Sequence, residues 1–381
     1  MMSNINDYLR WRGDIPINKN FNINDLDNLV LARFSYLIFN MIDMNSVETI
    51  ESISAKMKDF DNESFRYNGD KEMITLLGQS PRFKNMLVTD FIEITDLKAE
   101  KQFSAITIHI SEKELYVSFI GTDNSIVGWK EDFNMAFMES VPAQLEGEKY
   151  LKMVSKKYPK SKIRIGGHSK GGSIAIFSAV TATKEIQNKI INVCNYDGPG
   201  LGKEILDSIV DSDIIKKLHT FIPQDSVIGW ILEHKEKCSI VKSIEKGLYQ
   251  HDIFSWQVLR DNFIYVDNVT SNSQFINNSI STWLKSTSAE QRKIFFDGVF
   301  QLFYSSEAST FSELSASLGS NIPTFIKTYR ELSDEEKKVI TTMLKEFGKI
   351  YMSNFKQSEK LKLRSFENDY HLGKLFSKSW F

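Results

Sequence analysis

The stretch that decides the fold of this 381-residue chain covers positions 163–173 and reads IRIGGHSKGGS. The β-branched and apolar residues at its start predict a strand over 162–165, and the small residues after Ser169 predict a helix over 170–182. A strand that passes directly into a helix through glycines is typical of a tight turn that raises one side chain above the edge of a sheet.

That turn contains a Gly-x-Ser-x-Gly pattern formed by Gly167, Ser169 and Gly171. Side chains two residues before and after the serine would collide in such a turn, so glycine is required at both places. The pattern predicts that Ser169 is a nucleophile and that the backbone N–H of Lys170 stabilises a developing oxyanion. A glycine-rich turn without chemistry is the alternative.

The segments around the turn alternate between strand and helix patterns. Strands are predicted at 103–110, 115–120, 191–196 and 218–222, with a charged turn at 111–114 that joins the first two as a hairpin. Helices are predicted at 23–43, 144–157 and 203–210. Because alternation at these lengths implies right-handed crossovers, we predict an α/β-hydrolase fold with a mainly parallel sheet flanked by helices.

Three regions are predicted along the chain. An N-terminal helical segment (1–94) packs on an α/β-hydrolase catalytic core (95–262), and a C-terminal helical region (263–381) follows. Helical patterns at 281–304, 324–330 and 335–356 define the last region. It forms either a separate domain or a cap on the core.

Composition excludes several classes of protein. The net charge is −2 and no basic stripe is present, which argues against a nucleic-acid partner. Cys194 and Cys238 are too few for a disulfide framework or a metal knuckle. The serine chemistry predicted above implies neither a metal nor an organic cofactor. The start of the chain lacks a basic and apolar leader, and we expect a cytoplasmic protein.

A serine nucleophile needs a base, and three histidines follow it before the helical region. His219 lies within a predicted strand, and His234 has the surroundings of a solvated helix end. His251 comes shortly after Gly247 and before an apolar run, as expected of a base on a loop. We therefore favour His251.

The acid that orients this base has two candidates, each at the end of a predicted strand, since Asp252 adjoins His251 itself and cannot easily reach its far nitrogen. Asp225 follows strand 218–222 after a proline and a glutamine, whereas Asp197 lies in Asn-Tyr-Asp-Gly-Pro-Gly. The latter sequence is typical of a turn, so Asp225 is preferred.

Five segments together resemble a known family. They are Gly-Thr-Asp from Gly121 followed by Gly-Trp-Lys-Glu-Asp-Phe from Gly128, Gly-His-Ser-Lys-Gly-Gly from Gly167, Asn-Tyr-Asp-Gly-Pro-Gly from Asn195, Pro-Gln-Asp-Ser-Val-Ile-Gly from Pro223, and His251-Asp252 with Trp256. The set resembles an uncharacterised bacterial lipase-like family related to class 3 (fungal-type) lipases, over about residues 25–262. It departs from the fungal pattern at Ile120, where those lipases often have arginine, and in the proline that precedes Asp225.

The resemblance implies roles for further residues. Thr122 supplies the second oxyanion contact, through its N–H and its hydroxyl, within the segment that also contains Gly121 and Asp123. Trp129 and Asp132 support this segment. His168, directly before the nucleophile, is also typical of these lipases.

Two functional hypotheses follow. In the first, the chain is a serine ester hydrolase that acts on a small-molecule or lipid ester through Ser169, His251 and Asp225, with peripheral contact with membrane lipid. In the second, it is a vestigial hydrolase-fold binding or scaffold protein.

Overall fold

The computed structural model describes residues 3–37, 39–43, 47–209 and 212–376, together with their side chains except those of 40 and 356–376. Residues 210 and 377–381, which belong to the predicted helix 203–210 and the predicted C-terminal region, lie outside this description, as do residues 1–2, 38, 44–46 and 211. All statements below refer to the described residues.

The centre of the molecule is a sheet of eight strands whose spatial order is their order along the chain. These strands are β1 (Val47–Thr49), β2 (Leu87–Asp96), β3 (Lys101–Ser111), β4 (Glu114–Phe119), β5 (Lys162–His168), β6 (Ile190–Tyr196), β7 (Leu218–Pro223) and β8 (Lys237–Val241). Strands β1 to β4 pair antiparallel, and β4 to β8 pair parallel. The short strands β9 (Val258–Leu259) and β10 (Asn262–Phe263) form a separate hairpin.

Helices surround this sheet and continue beyond it. The first nine are α1 (Ile5–Arg12), α2 (Asp25–Phe34), α3 (Ile50–Lys56), α4 (Asp70–Gln79), α5 (Ile126–Asn134), α6 (Pro142–Lys157), α7 (Lys170–Thr181), α8 (Lys184–Lys189) and α9 (Lys203–Ser208). The last four are α10 (Ser271–Ser286), α11 (Ala289–Tyr304), α12 (Phe311–Glu331) and α13 (Asp334–Phe376).

The mixed architecture confirms the predicted α/β class, and the predicted strands and helices around the serine turn are present. The predicted hairpin is β3–β4, which pairs antiparallel. Helix α2 is shorter than the predicted 23–43 because the chain leaves the helix at Ser35.

The N-terminal region differs from the prediction of a purely helical segment. It contributes β1 and most of β2, and the predicted boundary between 94 and 95 falls inside β2. This strand was missed because its pattern is weakly apolar. An irregularity in its pairing with β3 near Asp90, whose φ is 57°, interrupts the two-residue alternation. Strand β8 was also missed, since its charged and polar start resembles a loop.

Alternation along the strands sends side chains to two separate cores. On one face, Ile106, Ile108 and Tyr116 pack against α1 to α4 and the segment around Trp256. On the other face, Ala105, Leu115 and Val117 pack against α6 and α7. The sheet is therefore covered on both faces, as parallel sheets require.

A third apolar cluster lies within the C-terminal helices and includes Trp283, Phe296 and Met343. Partly buried Phe137, which follows α5, packs against it and so joins these helices to the domain that contains the sheet. Among the described helices, none combines the length and the apolar character needed to cross a bilayer.

Candidate active site

Ser169 occupies the turn between the end of β5 and the start of α7. Its φ of 58° and ψ of −136° lie in a region that a non-glycine residue adopts only at a cost of about 1–3 kcal/mol. A β-carbon on Gly171 would collide with the carbonyl oxygen of Phe119, and one on Gly167 would collide with Gly171 itself. The turn therefore has the strained geometry and the glycine requirement that the sequence predicted.

His251 lies beside this turn at the end of a short 3₁₀ segment, Gly247–His251. Its Nδ1 is 2.7 Å from Oδ2 of Asp197. Because a carboxylate only accepts hydrogen bonds, Nδ1 carries the proton and Nε2 is left as the basic nitrogen. The side chain of Asp197 is 1% exposed and that of His251 is 20% exposed.

The predicted pairing of His251 with Asp225 is therefore wrong, and the rejected candidate Asp197 is its partner. Asp197 follows β6 with a φ of 52°, a left-handed conformation that turns the chain sharply at the strand end. The Asn-Tyr-Asp-Gly-Pro-Gly sequence does form a turn, but this turn aims the carboxylate at the imidazole instead of at solvent.

Asp225 is buried and performs a different task in the same region. Its Oδ2 accepts a hydrogen bond of 2.6 Å from the N–H of Gly247, and its Oδ1 accepts from the hydroxyl of Thr270. Its own N–H donates to Oε1 of Gln250 over 2.7 Å. Asp225 thus ties the loop that carries His251 to the start of α10.

The other two histidines also have defined positions. His219 lies on β7, as predicted. His234 does not end a solvated helix: its side chain is 5% exposed, and it precedes β8.

His168 contacts His251 from the side of Ser169. Its Nε2 lies 2.8 Å from the backbone carbonyl oxygen of His251, to which it must donate, and the two rings are 4.4 Å apart between centroids. Burial and the nearby His251 hold the pKa of His168 well below its ordinary value, so the ring is neutral. Since Ser169 is the next residue, this contact brings His251 and Ser169 to the same end of the sheet.

The segment from Gly121 follows β4 and lies against Ser169. A β-carbon on Gly121 would be 3.1 Å from the β-carbon of Ser169. Among the described residues, the backbone N–H groups of Thr122 and Lys170 have no hydrogen-bond acceptor. Both groups are therefore available to an oxygen atom bound at Ser169.

The hydroxyl of Thr122 is already committed. It donates a hydrogen bond of 2.5 Å to Oδ2 of Asp132, whereas Oδ1 of Asp132 has no partner among the described residues. Burial raises the pKa of Asp132 to about 6, against the lowering effect of Lys170 and Thr122. Asp132 therefore fixes the position of the Thr122 side chain.

Two further residues shape this segment. Oδ1 of Asp123 accepts the N–H of Ser125 over 2.9 Å and so closes the turn that precedes α5. Trp129 packs against Phe311 of α12, with 4.9 Å between ring centroids.

The side chain of Lys170 points away from the site into the core. Its Nζ donates to the backbone oxygen of Gln102, to Oε1 of Gln102 and to Oε2 of Glu131, at distances of 2.9, 2.7 and 2.9 Å. Both Lys170 and Glu131 have fully buried side chains. A lysine at the start of a buried helix requires such an acid, and this is the signal by which Glu131 could have been found.

Two residues of the N-terminal region also reach the site, although no local sequence pattern indicates them. The hydroxyl of Tyr36 donates to the carbonyl oxygen of His168 over 2.7 Å. Arg66 donates to the carbonyl oxygen of Thr122. These contacts connect positions more than fifty residues apart, so local pattern could not reveal them.

A cleft of about 670 Å³ borders the Gly121 segment. Its wall includes the apolar side chains Tyr36, Phe39, Phe65, Tyr67, Phe91 and Ile120. Charged groups at its wall are Arg66, Glu63, Glu93 and Asp123. This size lies within the range of small-molecule sites.

One group of side chains within the described residues resembles a metal site. His234, Glu236 and Cys238 offer ligand atoms that all lie within 4.8 Å of one another. However, Nδ1 of His234 is 2.7 Å from Glu236 and its Nε2 is 2.7 Å from the carbonyl oxygen of Gly229. Both nitrogens are thus used in hydrogen bonds, which account for the cluster.

Taken together, a mainly parallel sheet, a strained serine between β5 and α7, and a histidine paired with an acid after β6 define an α/β-hydrolase fold. The family model described as Mbeg1-like matches residues 77–301, more than half of the chain. The chain belongs to the Mbeg1-like family.

Several solved lipase structures are similar to this chain at low identity. Lipase II from Rhizopus niveus is 14% identical, with 53% of this chain and 78% of that chain covered and a TM-score of 0.34. The Rhizomucor miehei lipase in its propeptide complex is 16% identical, with 55% and 68% covered and a TM-score of 0.33. A triacylglycerol lipase from Penicillium expansum is 14% identical, with 48% and 81% covered and a TM-score of 0.30. The chain has no match among curated proteins.

Proposed function

We propose that this protein is a serine ester hydrolase in which Ser169 is the nucleophile, His251 the base and Asp197 the acid. The observation that carries the proposal is the 2.7 Å contact between His251 and Asp197 beside the strained turn at Ser169. Ser169 and His251 do not hydrogen-bond to each other among the described contacts, and such bonds often form only when substrate is present.

The proposed reaction starts when Oγ of Ser169 attacks the ester carbonyl carbon and its proton passes to Nε2 of His251. The carbonyl oxygen becomes an oxyanion that accepts hydrogen bonds from the N–H groups of Thr122 and Lys170. The bond to the leaving alcohol then breaks, and His251 gives its proton to that oxygen. Water attacks the acyl-enzyme in the same way, which releases the acid and restores Ser169.

Asp197 keeps Nδ1 of His251 protonated and the ring oriented through both steps. The neutral state of His168 matters as well, because a second positive charge beside His251 would oppose protonation of the base. In this proposal, His168 supports the base through its contact with the backbone of His251.

The first experiment tests the nucleophile. We expect a fluorophosphonate probe to label the wild-type protein and not Ser169→Ala, because only an activated serine reacts with it. Ser208→Ala, which changes an exposed serine on α9, is the matched control and should label normally. If the wild-type protein is not labelled and hydrolyses no p-nitrophenyl ester, the proposal fails and the scaffold hypothesis replaces it.

We propose a lipid ester as the substrate class, because apolar and aromatic side chains line much of the cleft that borders residues 120–124. Ser169 and His251 do not line this cleft, so the acyl chain would extend into it from the serine. In a series of p-nitrophenyl esters from acetate to palmitate, kcat/KM should rise with chain length. Each fully buried methylene should contribute up to about 0.8 kcal/mol. A steady fall from acetate onward would identify a small-ester hydrolase instead.

A further inference from the structure

A buried ion pair lies directly behind the proposed acid. Nδ1 of His234 contacts Oε1 of Glu236, and Nε2 contacts the carbonyl oxygen of Gly229, both over 2.7 Å. A carbonyl oxygen and a carboxylate both accept only, so both nitrogens of His234 donate and the ring is an imidazolium. The side chains of His234 and Glu236 are 5% and 2% exposed.

The carboxylate of Glu236 balances the positive charge of His234. Its Oε1 accepts the hydroxyl of Thr220 over 2.5 Å, and its Oε2 accepts the N–H of Lys235 over 3.0 Å. Burial alone would raise the pKa of Glu236, but the hydrogen bond and the charge of His234 outweigh it and hold this pKa below its ordinary value. The pair is therefore ionised and satisfied.

Gly229 links this pair to the acid. Its N–H is shared between Oδ1 of Asp197, over 3.1 Å, and Oγ of Ser226, over 3.0 Å. The hydroxyl of Ser226 donates to the same Asp197 oxygen over 2.5 Å. A β-carbon on Gly229 would collide with Oδ1 of Asp197. The carbonyl group of Gly229 thus accepts a hydrogen bond from His234, while its N–H donates to Asp197. The peptide groups on the two sides of the Gly229 α-carbon therefore have different partners.

We propose that His234 is a positioning residue for the acid, acting through Gly229, and that Glu236 keeps it charged. The inference rests on the proposed function, in which Asp197 orients His251. Glycine has the freest backbone of all residues, so without His234 the peptide that donates to Asp197 can rotate away. Asp197 then loses one of the two donors that stop its carboxylate from turning away from His251.

The test uses the double variant His234→Gln/Glu236→Gln in the full-length protein, which removes both charges together and leaves no unpaired buried charge. We expect kcat for a p-nitrophenyl ester to fall about tenfold with KM nearly unchanged, and the rate of fluorophosphonate labelling to fall equally. His219→Gln, on β7, is the matched control and should behave as the wild-type protein does.

The same double variant is then made in an Asp197→Ala background. If His234 acts through Asp197, the double variant should leave kcat almost unchanged in this background, because the group that His234 positions is absent. An equal loss in both backgrounds would show a merely structural role, and no loss in either would refute the inference.

A crystal structure of the double variant separates this inference from the proposed function. We expect the distance from the Gly229 nitrogen to Oδ1 of Asp197 to exceed hydrogen-bond length in the variant. If that bond is intact, the inference is wrong whether or not the protein hydrolyses esters. If the bond is lost but the wild-type protein is not labelled by the probe, the proposed function fails while the positioning contact stands.

Discussion

At the scale of single residues, the orientation of His251 depends on which of two buried carboxylates contacts its imidazole. Asp197 uses Oδ2 for the imidazole and Oδ1 for Ser226 and Gly229. Asp225 instead accepts hydrogen bonds from the N–H of Gly247, on the loop before His251, and from the hydroxyl of Thr270, at the start of α10. The two aspartates therefore differ in role although both follow neighbouring parallel strands.

This difference predicts unequal effects of the two matched substitutions. Asp197→Asn should lower kcat/KM for a p-nitrophenyl ester by about 10³–10⁴-fold, because the amide favours the wrong tautomer of His251. Asp225→Asn should cost only about tenfold, by loosening the loop that begins at Gly247. Steady-state kinetics on both variants, with circular dichroism to check folding, measures this. Equal losses would contradict the assignment of Asp197 as the acid.

At the scale of elements, helix α5 supports the segment from Gly121 with two adjacent acids, the buried Glu131 and the partly buried Asp132. Glu131 is well satisfied, since it accepts bonds from the N–H of Gln102, the N–H of Ala143 and Nζ of Lys170. Within the described part of the chain, Asp132 accepts a hydrogen bond only from the hydroxyl of Thr122. Burial therefore dominates at Asp132 and raises its pKa to about 6, while Lys170 and Thr122 lower it.

The raised pKa predicts a pH-dependent stability. Asp132 binds its proton more tightly in the folded state than in the unfolded state. Its protonation therefore stabilises the fold fully below the unfolded pKa of 3.8, and this stabilisation is lost as the pH rises through about 6. Asp132→Asn removes this dependence. As the pH rises from about 4 to about 8, the free energy of unfolding of the wild-type protein should therefore fall by roughly 1–3 kcal/mol relative to that of the variant.

Urea unfolding of both proteins across this pH range measures the shift. Asp59→Asn, at an exposed position, is the control and should show none. Parallel pH profiles for the wild-type protein and Asp132→Asn would contradict the raised pKa.

At the scale of the whole molecule, the C-terminal helices are part of the site's support. The N–H of Ile126 donates to the oxygen of Ser309 over 3.0 Å, and the N–H of Phe311 donates to the oxygen of Asn124 over 2.9 Å. The side chain of Asn124 also donates to Ser312 over 2.7 Å. The start of α12 is thereby joined to the chain that follows Thr122.

This connection predicts that a change in α12 alters catalysis. Phe311→Ala removes the ring that packs on Trp129. It should lower kcat about tenfold, because the segment from Gly121 to Trp129 then lacks this packing contact and is less well positioned. Leu318→Ala changes an exposed residue on the same helix and should have no effect. Steady-state kinetics with a p-nitrophenyl ester compares the two, and equal activity of both variants would show that α12 is dispensable for the site.

The sequence by itself determined the parts of this protein that depend on local pattern. The strand, the glycines and the small-residue helix around Ser169 predicted the strained turn, because few residue types can occupy it. Alternating apolar residues likewise predicted β3, β4, β6 and β7. The loop position of His251 followed from the turn residue Gly247 before it and the apolar run after it.

Only the tertiary structure decided which acid meets this base. Asp197 and Asp225 lie at the carboxyl ends of adjacent parallel strands, so their local sequences place both near His251. The choice depends on the path of the loop from Gly247, whose N–H binds Asp225 and thereby presents the imidazole to Asp197. The same holds for Tyr36 and Arg66, which reach the site across long separations in sequence. Pattern within a segment carries no information about such contacts, because they exist only once the segments have packed together.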